Sequence, residues 1–360
     1  MYQLIVIGNG FDLSCDLKSS FSDFHDYRAK SDLVAHPENT TIWDLILKQE
    51  KGHNWRWCDV EHQIRRWLYK SGQKDPQMLR LPECVLDPSV KPSQTARTNA
   101  VYSYVLSNWL RDRKLDGSVL AALSLADLNR YESYFASYLN DLVQRTPGYL
   151  DSAATRMERI CRDLVDEDGV PPPSTSVLSF NYTEPLSSNV RLSDALGIDC
   201  FCNIHGRASD YEHGIVFGID AKGIRPTSVA IPFTKTYRLL AQDPIDFQRV
   251  VRPKLSNGAS MGFIKFFGHS LSEADYSYFQ SIFDAVDLYG GDTRLVFYYR
   301  PHGKKGETEK VMVEKARREV HKNVTKLLAA YGESFDNKDH GKNLMHKLLL
   351  EGRLMVRRLP

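Results

Sequence analysis

At 360 residues, with a formal net charge of +2, 42% hydrophobic and 26% charged residues, the chain has a globular composition and room for one large domain or two. The near-neutral balance excludes a dedicated, strongly basic nucleic-acid binder, and the absence of any run of ~18 uninterrupted apolar residues excludes a membrane-spanning helix. The six cysteines, Cys15, Cys58, Cys84, Cys161, Cys200 and Cys202, form no C-x-x-C pair, which argues against a structural zinc module and for free thiols in a reducing, cytoplasmic setting.

The first predicted element is a buried strand, Leu4–Ile7, that stops at Gly8-Asn9-Gly10. Such a turn lets the backbone approach a ligand closely, although a G-x-G after a strand also serves as a tight structural turn. From about 40 to 170 the periodicity is helical. Trp57, Val60, Ile64, Trp67 and Leu68 recur at that spacing, as do Leu128, Tyr131, Phe135, Tyr138, Leu139 and Leu142, and then Met157, Ile160, Cys161 and Leu164. The proline-bearing segment 71–98 reads as an irregular loop, and Pro171-Pro172-Pro173 ends the region because consecutive prolines cannot continue a helix. Short apolar runs then predict strands at Val177–Phe180, Phe201–Ile204, Ile215–Phe217, Phe263–Phe267 and Leu295–Tyr299, with helices around 274–286 and 308–330. The fold expected is a Rossmann-like, mostly parallel open α/β sheet carrying a large helical insertion after the first strand. The domains expected are 1–39 with 174–360, and 40–173.

If the sheet is parallel, four strand ends share its carboxyl edge, where ligands of such folds bind. They are Gly8-Asn9-Gly10-Phe11-Asp12, Asn181-Tyr182-Thr183, His205-Gly206 and Gly268-His269-Ser270. Each has an ordinary reading as well: Asn181 as a turn residue, His205 as a satisfied structural histidine, His269-Ser270 as a helix cap. Their joint placement favours a ligand crevice. Glu273 and Asp275 suit the start of a helix, where acids complement the macrodipole. Tyr276, Tyr278, Phe279, Ile282 and Phe283 read as that helix's core side. Residues 301–360 carry 14 Lys/Arg against 8 Asp/Glu, most simply a solvated helical face.

The stretches IGNGFDLSCDLKSSFSDF (7–24), Trp57-x-Asp59-x-Glu61, SFNYT (179–183), IHG (204–206), IVFGI (215–219) and FGHSLSEADYSYFQSIF (267–283) resemble the AbiH family of bacterial phage abortive-infection proteins. AbiH sequences are in turn distantly similar to sirtuin-like NAD-binding domains, whose pattern falls here on Gly8–Asp12, Asp23-Phe24, Asn181, His205 and Gly268–Ser270. The chain departs from deacylating sirtuins in lacking the paired C-x-x-C module, which argues against deacylation. It also has Asn-Tyr-Thr where they have asparagine followed by aspartate, which bears on ribose recognition.

The resemblance implies an anti-phage effector that binds NAD or a related nucleotide as substrate or ligand, with no tightly bound cofactor, and cleaves the nicotinamide–ribose bond as an NAD glycohydrolase. On that reading Asn181 and His205 are catalytic. Gly8, Asn9, Gly10, Phe11, Asp12, Asp23, Phe24, Gly268, His269 and Ser270 bind the dinucleotide, the N–H groups of residues 8–12 meeting its pyrophosphate. No metal is implied. The partners implied are the nucleotide, an unidentified phage trigger and, as an open alternative, a second copy of the chain. Two other readings stand beside it: a non-catalytic nucleotide sensor that controls a partner or oligomer, and an effector that targets nucleic acid through the basic C-terminal region.

Overall fold

The computed structural model describes residues 2–49, 59–68, 99–109, 117–165, 173–186, 189–241, 249–252, 258–301, 303 and 306–359. Trp57, Pro171, Pro172 and the segment 71–98 lie outside them. By internal packing the chain forms two units: Met1–Ser19, Asp141–Arg207 and Ile245–Pro360 make one, Ser20–Asn140 and Ala208–Pro244 the other.

The first unit is built on six strands, β1 Tyr2–Ile7, β2 Ser174–Ser179, β3 Ile198–Asn203, β4 Met261–Phe267, β5 Arg294–Tyr299 and β6 Leu354–Arg358. They form one sheet in the order β3-β2-β1-β4-β5-β6, and every pairing is parallel. The α/β class and parallel sheet expected from sequence are therefore present. β1, β4 and β5 are largely apolar because both faces of the sheet are covered, while β2, STSVLS, has only Val177 and Leu178 apolar and is buried from Thr175 onward. On one face Leu4, Val6, Leu178, Ile264, Phe266, Leu295 and Phe297 pack with the helices Tyr276–Ala285, Glu309–Glu333 and Lys338–Leu350. On the other, Ile5, Ile7, Val177, Phe263 and Val296 pack with the helix Tyr149–Arg162. Sequence grouped that helix with the insertion, but its stripe of Tyr149, Ala153, Met157 and Ile160 is buried in this second core.

Lys265 interrupts the apolar run of β4 and is fully buried. Its Nζ donates to the carbonyl oxygens of Ile160 at 2.9 Å, Cys161 at 3.1 Å and Asp163 at 2.6 Å, the orphan acceptors at the C-terminus of the helix Tyr149–Arg162. All three ammonium protons are thus used. Burial pulls its pKa down from 10.5 to about 8, against the opposing pull of Cys161 and Asp163. Lys265→Met should therefore lower stability by about 2–3 kcal/mol at neutral pH by leaving those carbonyls unsatisfied. The variant also carries a pH signature. Between about 8 and 10.5 the unfolded lysine binds its proton more fully than the folded one, so this group makes wild-type stability rise with pH there. Urea unfolding near pH 7.5 and near pH 9.5 should show the gap between wild type and variant widening at the higher pH.

In the second unit Phe21, Phe24, Tyr131, Phe135 and Phe217 form an aromatic cluster around the long helix Gly117–Arg145, with centroid separations from 4.8 to 6.4 Å. The strand expected at Ile215–Phe217 is not formed. The Phe217 N–H donates to Glu132 Oε1 at 2.5 Å, and its carbonyl accepts from Arg238 at 2.6 Å. A buried ion pair takes the place of a neighbouring strand, so the apolar run stays buried without a ladder. Among the described residues no helix is long and apolar enough to cross a membrane.

Candidate functional site

The register of the sheet brings four strand ends level. Ile7 pairs with Ser179 and with Phe267, and Ser179 pairs with Asn203. The residues that follow, Gly8, Phe180-Asn181, Ile204-His205 and Gly268-His269, therefore leave the sheet at one carboxyl edge. This is the edge expected from sequence. The strand order is also that of dinucleotide-binding sheets, whose ligands lie where the order reverses, here between β1 and β4.

At that reversal the two glycine turns interlock. The Gly10 N–H donates to Gly268 O at 2.8 Å, the Gly8 N–H to Phe267 O at 3.1 Å and the Phe11 N–H to Gly8 O at 2.8 Å. A Cβ on Gly10 would lie 2.7 Å from Gly268 Cα, and one on Gly268 would lie 2.3 Å from Phe11 N. The first requirement on these glycines is thus packing of one turn against the other, and three donors expected to face a pyrophosphate are engaged by backbone carbonyls. The Asn9 side chain accepts a hydrogen bond from Ser19 Oγ at 2.6 Å.

Asp12 follows directly and is 1% exposed. Its Oδ1 accepts from the Tyr149 hydroxyl at 2.8 Å and its Oδ2 from the Thr183 hydroxyl at 2.7 Å. Burial raises its pKa to about 6, the hydroxyls of Thr183 and Tyr149 and the nearby Asn181 amide pulling the other way. It is therefore mostly ionised at pH 7 yet protonated within reach of physiological pH.

Asn181 is 3% exposed. Its backbone is held: its N–H donates to Ser179 Oγ at 3.2 Å, and its carbonyl accepts from Asn203 Nδ2 at 2.8 Å. Asn203 Nδ2 also donates to the Thr183 carbonyl at 2.9 Å. One carboxamide at the end of β3 thus clamps the 181–183 turn. Sequence did not single out Asn203; the cue was a polar residue directly after the apolar Cys200-Phe201-Cys202. In contrast to its backbone, the Asn181 side chain makes no hydrogen bond through either Nδ2 or Oδ1. Folding ordinarily excludes a buried carboxamide with both ends unsatisfied, at a cost of about 1–3 kcal/mol.

His205 and His269 come from the ends of β3 and β4. Both rings lie edge-on to Phe180, at 5.4 and 4.4 Å between centroids. Asp275 faces both: its Oδ1 is 3.8 Å from His205 Nε2 and its Oδ2 is 3.3 Å from His269 Nε2. The macrodipole reading of Asp275 is incomplete, since it is 7% exposed and turned to these rings. Leu271 takes a left-handed backbone, φ 54°, and its N–H donates to His269 Nδ1 at 2.9 Å.

Asp23 and Phe24 are placed in the other unit. The Asp23 backbone N–H donates to the helix-capping Ser20 Oγ at 3.1 Å, and Phe24 is fully buried in the aromatic cluster. Ser270 is exposed. Glu61, from the Trp-x-Asp-x-Glu stretch, pairs with the buried Lys235. A cavity of about 510 Å³ in that second unit is lined by Glu132, Asp210, His213, Tyr237 and Arg238 among others, and by none of the strand-end residues.

A family model described as "Bacteriophage abortive infection AbiH" matches residues 4–299, from β1 to the end of β5. No curated protein and no solved structure matches the chain.

Proposed function

We propose, on the premise that this chain belongs to the bacteriophage abortive infection AbiH family, that its part in that response is to bind NAD at the carboxyl edge of the sheet and hydrolyse the nicotinamide–ribose bond. The observation that carries this reading is the buried Asn181 carboxamide, with both ends unsatisfied, beside a carboxylate of raised pKa. An amide that both donates and accepts is suited to a ribose hydroxyl and a water at once.

In the reaction the bond between ribose C1′ and the nicotinamide nitrogen breaks, and its electron pair leaves with the ring. The pyridinium is already cationic, so its departure needs no strong acid. Water adds to the oxocarbenium carbon and gives up a proton, yielding ADP-ribose. Asn181 orients the water or the ribose, and His205 takes the proton. Asp12 stands as the buried anion near the developing positive charge.

Purified protein incubated with NAD, alone and with lysate from phage-infected cells, should release nicotinamide. No turnover under either condition, with cellular NAD unchanged during phage challenge, rejects hydrolysis. Tight nucleotide binding without turnover would instead support the sensor, a reading favoured by the engaged N–H groups of residues 8, 10 and 11.

The pKa of Asp12 near 6 gives a further expected result. Turnover that depends on its ionised form should fall about tenfold per pH unit below that value, and Asp12→Asn should remove the Asp12 share of the acid limb, leaving that of His205, as well as lowering the plateau. The same shift affects stability in a defined direction. The folded chain binds this proton more tightly than the unfolded one between 3.8 and about 6, so the Asp12 contribution favours folding below that window and is lost as pH rises through it.

A further inference from the structure

We infer that Asp275 is a positioning residue, holding His205 in place as a proton acceptor, and that His269 is the tether of that carboxylate. The inference rests on the proposed role of His205 and adds two residues to it.

The tautomer of His269 follows from its partners. Its Nδ1 accepts the Leu271 N–H at 2.9 Å, so Nδ1 carries no proton and the ring's single proton lies on Nε2. Nε2 is the nitrogen 3.3 Å from Asp275 Oδ2. The ring is therefore held at both ends, by a backbone donor and by a carboxylate. A ring fixed in this way has no nitrogen left to exchange protons with a ligand, but it immobilises one oxygen of Asp275.

The other oxygen is turned to His205. The 3.8 Å between Asp275 Oδ1 and His205 Nε2 is longer than a hydrogen bond and short enough to close by a small side-chain movement when His205 gains a proton and a positive charge. The enclosure makes that charge matter. Phe180 and Tyr278 pack against the His205 ring at 5.4 and 5.6 Å, and Phe279 packs against His269 at 5.1 Å. Apolar walls of this kind screen little, so a fixed anion next to a forming imidazolium has a strong influence. Among the described residues, the titratable groups facing the carboxylate include the two histidines, from the loops after β3 and β4, with the Tyr278 phenol ring against His205 from the following helix. The division of labour is that of an acid–base pair with a buried orienting carboxylate: His205 moves the proton, Asp275 orients and balances it, and His269 keeps Asp275 from turning away.

The first test needs no substrate and no variant. Nitrogen-15 NMR of the histidines in the wild-type protein should show His269 as the Nε2–H tautomer, with Nδ1 a bare acceptor. A His269 that carries its proton on Nδ1 overturns the inference.

The second test uses Asp275→Asn, with Asp275→Glu as the conservative partner. The Asn variant should change the nitrogen-15 shifts of His205, lower kcat for nicotinamide release about 10- to 100-fold, and leave KM within about twofold. The Glu variant should recover part of the kcat. Equal loss in both variants with unchanged His205 shifts marks Asp275 as structural only and overturns the inference. Altered His205 shifts in an enzyme that never turns over NAD would leave the positioning role intact and reject the hydrolase reading instead.

Discussion

Asn181→Ala should reduce nicotinamide release by about 10²- to 10³-fold while leaving the protein as stable as wild type or slightly more so. The two halves of this expectation come from one observation. An amide that orients the reacting water or ribose contributes on the scale of a single preorganised hydrogen-bonding group, about 3–4 kcal/mol of barrier. An amide that makes no hydrogen bond in the folded protein has none to lose when it is removed. Alanine deletes two buried, unsatisfied polar atoms, so folding should gain up to about 1 kcal/mol, less whatever the small cavity costs and less the lost pull of the amide on the ionised Asp12 carboxylate. Nicotinamide release and urea unfolding on the same preparation measure both. A variant that loses activity and stability together would show that Asn181 is a structural residue, and the observation carrying the proposed function would be withdrawn.

The largest stability effect should come from Gly268→Ala, at about 3–5 kcal/mol, enough to threaten a fold of ordinary stability. Two costs combine there. The backbone of Gly268 is left-handed, φ 73°, which costs an alanine about 1–2 kcal/mol. The new Cβ would also lie 2.3 Å from Phe11 N and 2.6 Å from Gly10 C. These are backbone atoms with no rotamer to yield, so the interlocked turns must separate and the Gly10 N–H to Gly268 O hydrogen bond is lost. Gly352 provides the comparison. Its φ is 64°, and a Cβ there meets nothing within 4 Å, so Gly352→Ala should cost only the conformational part, about 1–2 kcal/mol. Equal costs at the two positions, read as shifts of the urea midpoint, would contradict the interlock.

Much of the sheet was legible because burial on both faces writes itself as apolar stretches, Leu4–Ile7 in β1, Val177-Leu178 in β2, Phe263-Ile264 and Phe266-Phe267 in β4 and Leu295–Tyr299 in β5. β6 was not, because it lies at the edge of the sheet, and Leu354–Arg358 is half-exposed and closes on two arginines. Ile215–Phe217 carried a strand's composition without its environment: what buries it is a charged pair from two distant segments, Glu132 and Arg238, which no local pattern announces. At the site, Asn181, His205 and His269 were visible because glycine and polar residues follow the apolar stretches where the chain must turn. Asn203 was hidden by ending a strand in the usual way, and its function as a clamp depends on a register that exists only after pairing. Asp275 was hidden by a sufficient simpler explanation. Lys265 did leave a mark, a lone cation inside FIKFF, which a search for interruptions as well as runs would have caught.

The central place of β1 has a consequence for how the protein is made. Gln3 and Thr175, hydrogen-bonded across β1 and β2, are 172 residues apart, and the partner on the other side, β4, is later still. At ribosomal rates of about 5–20 residues per second, β1 waits roughly 9–34 s for its first neighbour. During that time it is an apolar strand with two open edges, the form of chain most prone to pair with the wrong partner. Residues 20–140 are synthesised before β2, but the second unit also needs Ala208–Pro244, so neither unit is complete in the interval. The sheet that gathers the strand ends is therefore a late product of synthesis, and a chain halted before β2 has none of the edge on which Asn181 and His205 sit.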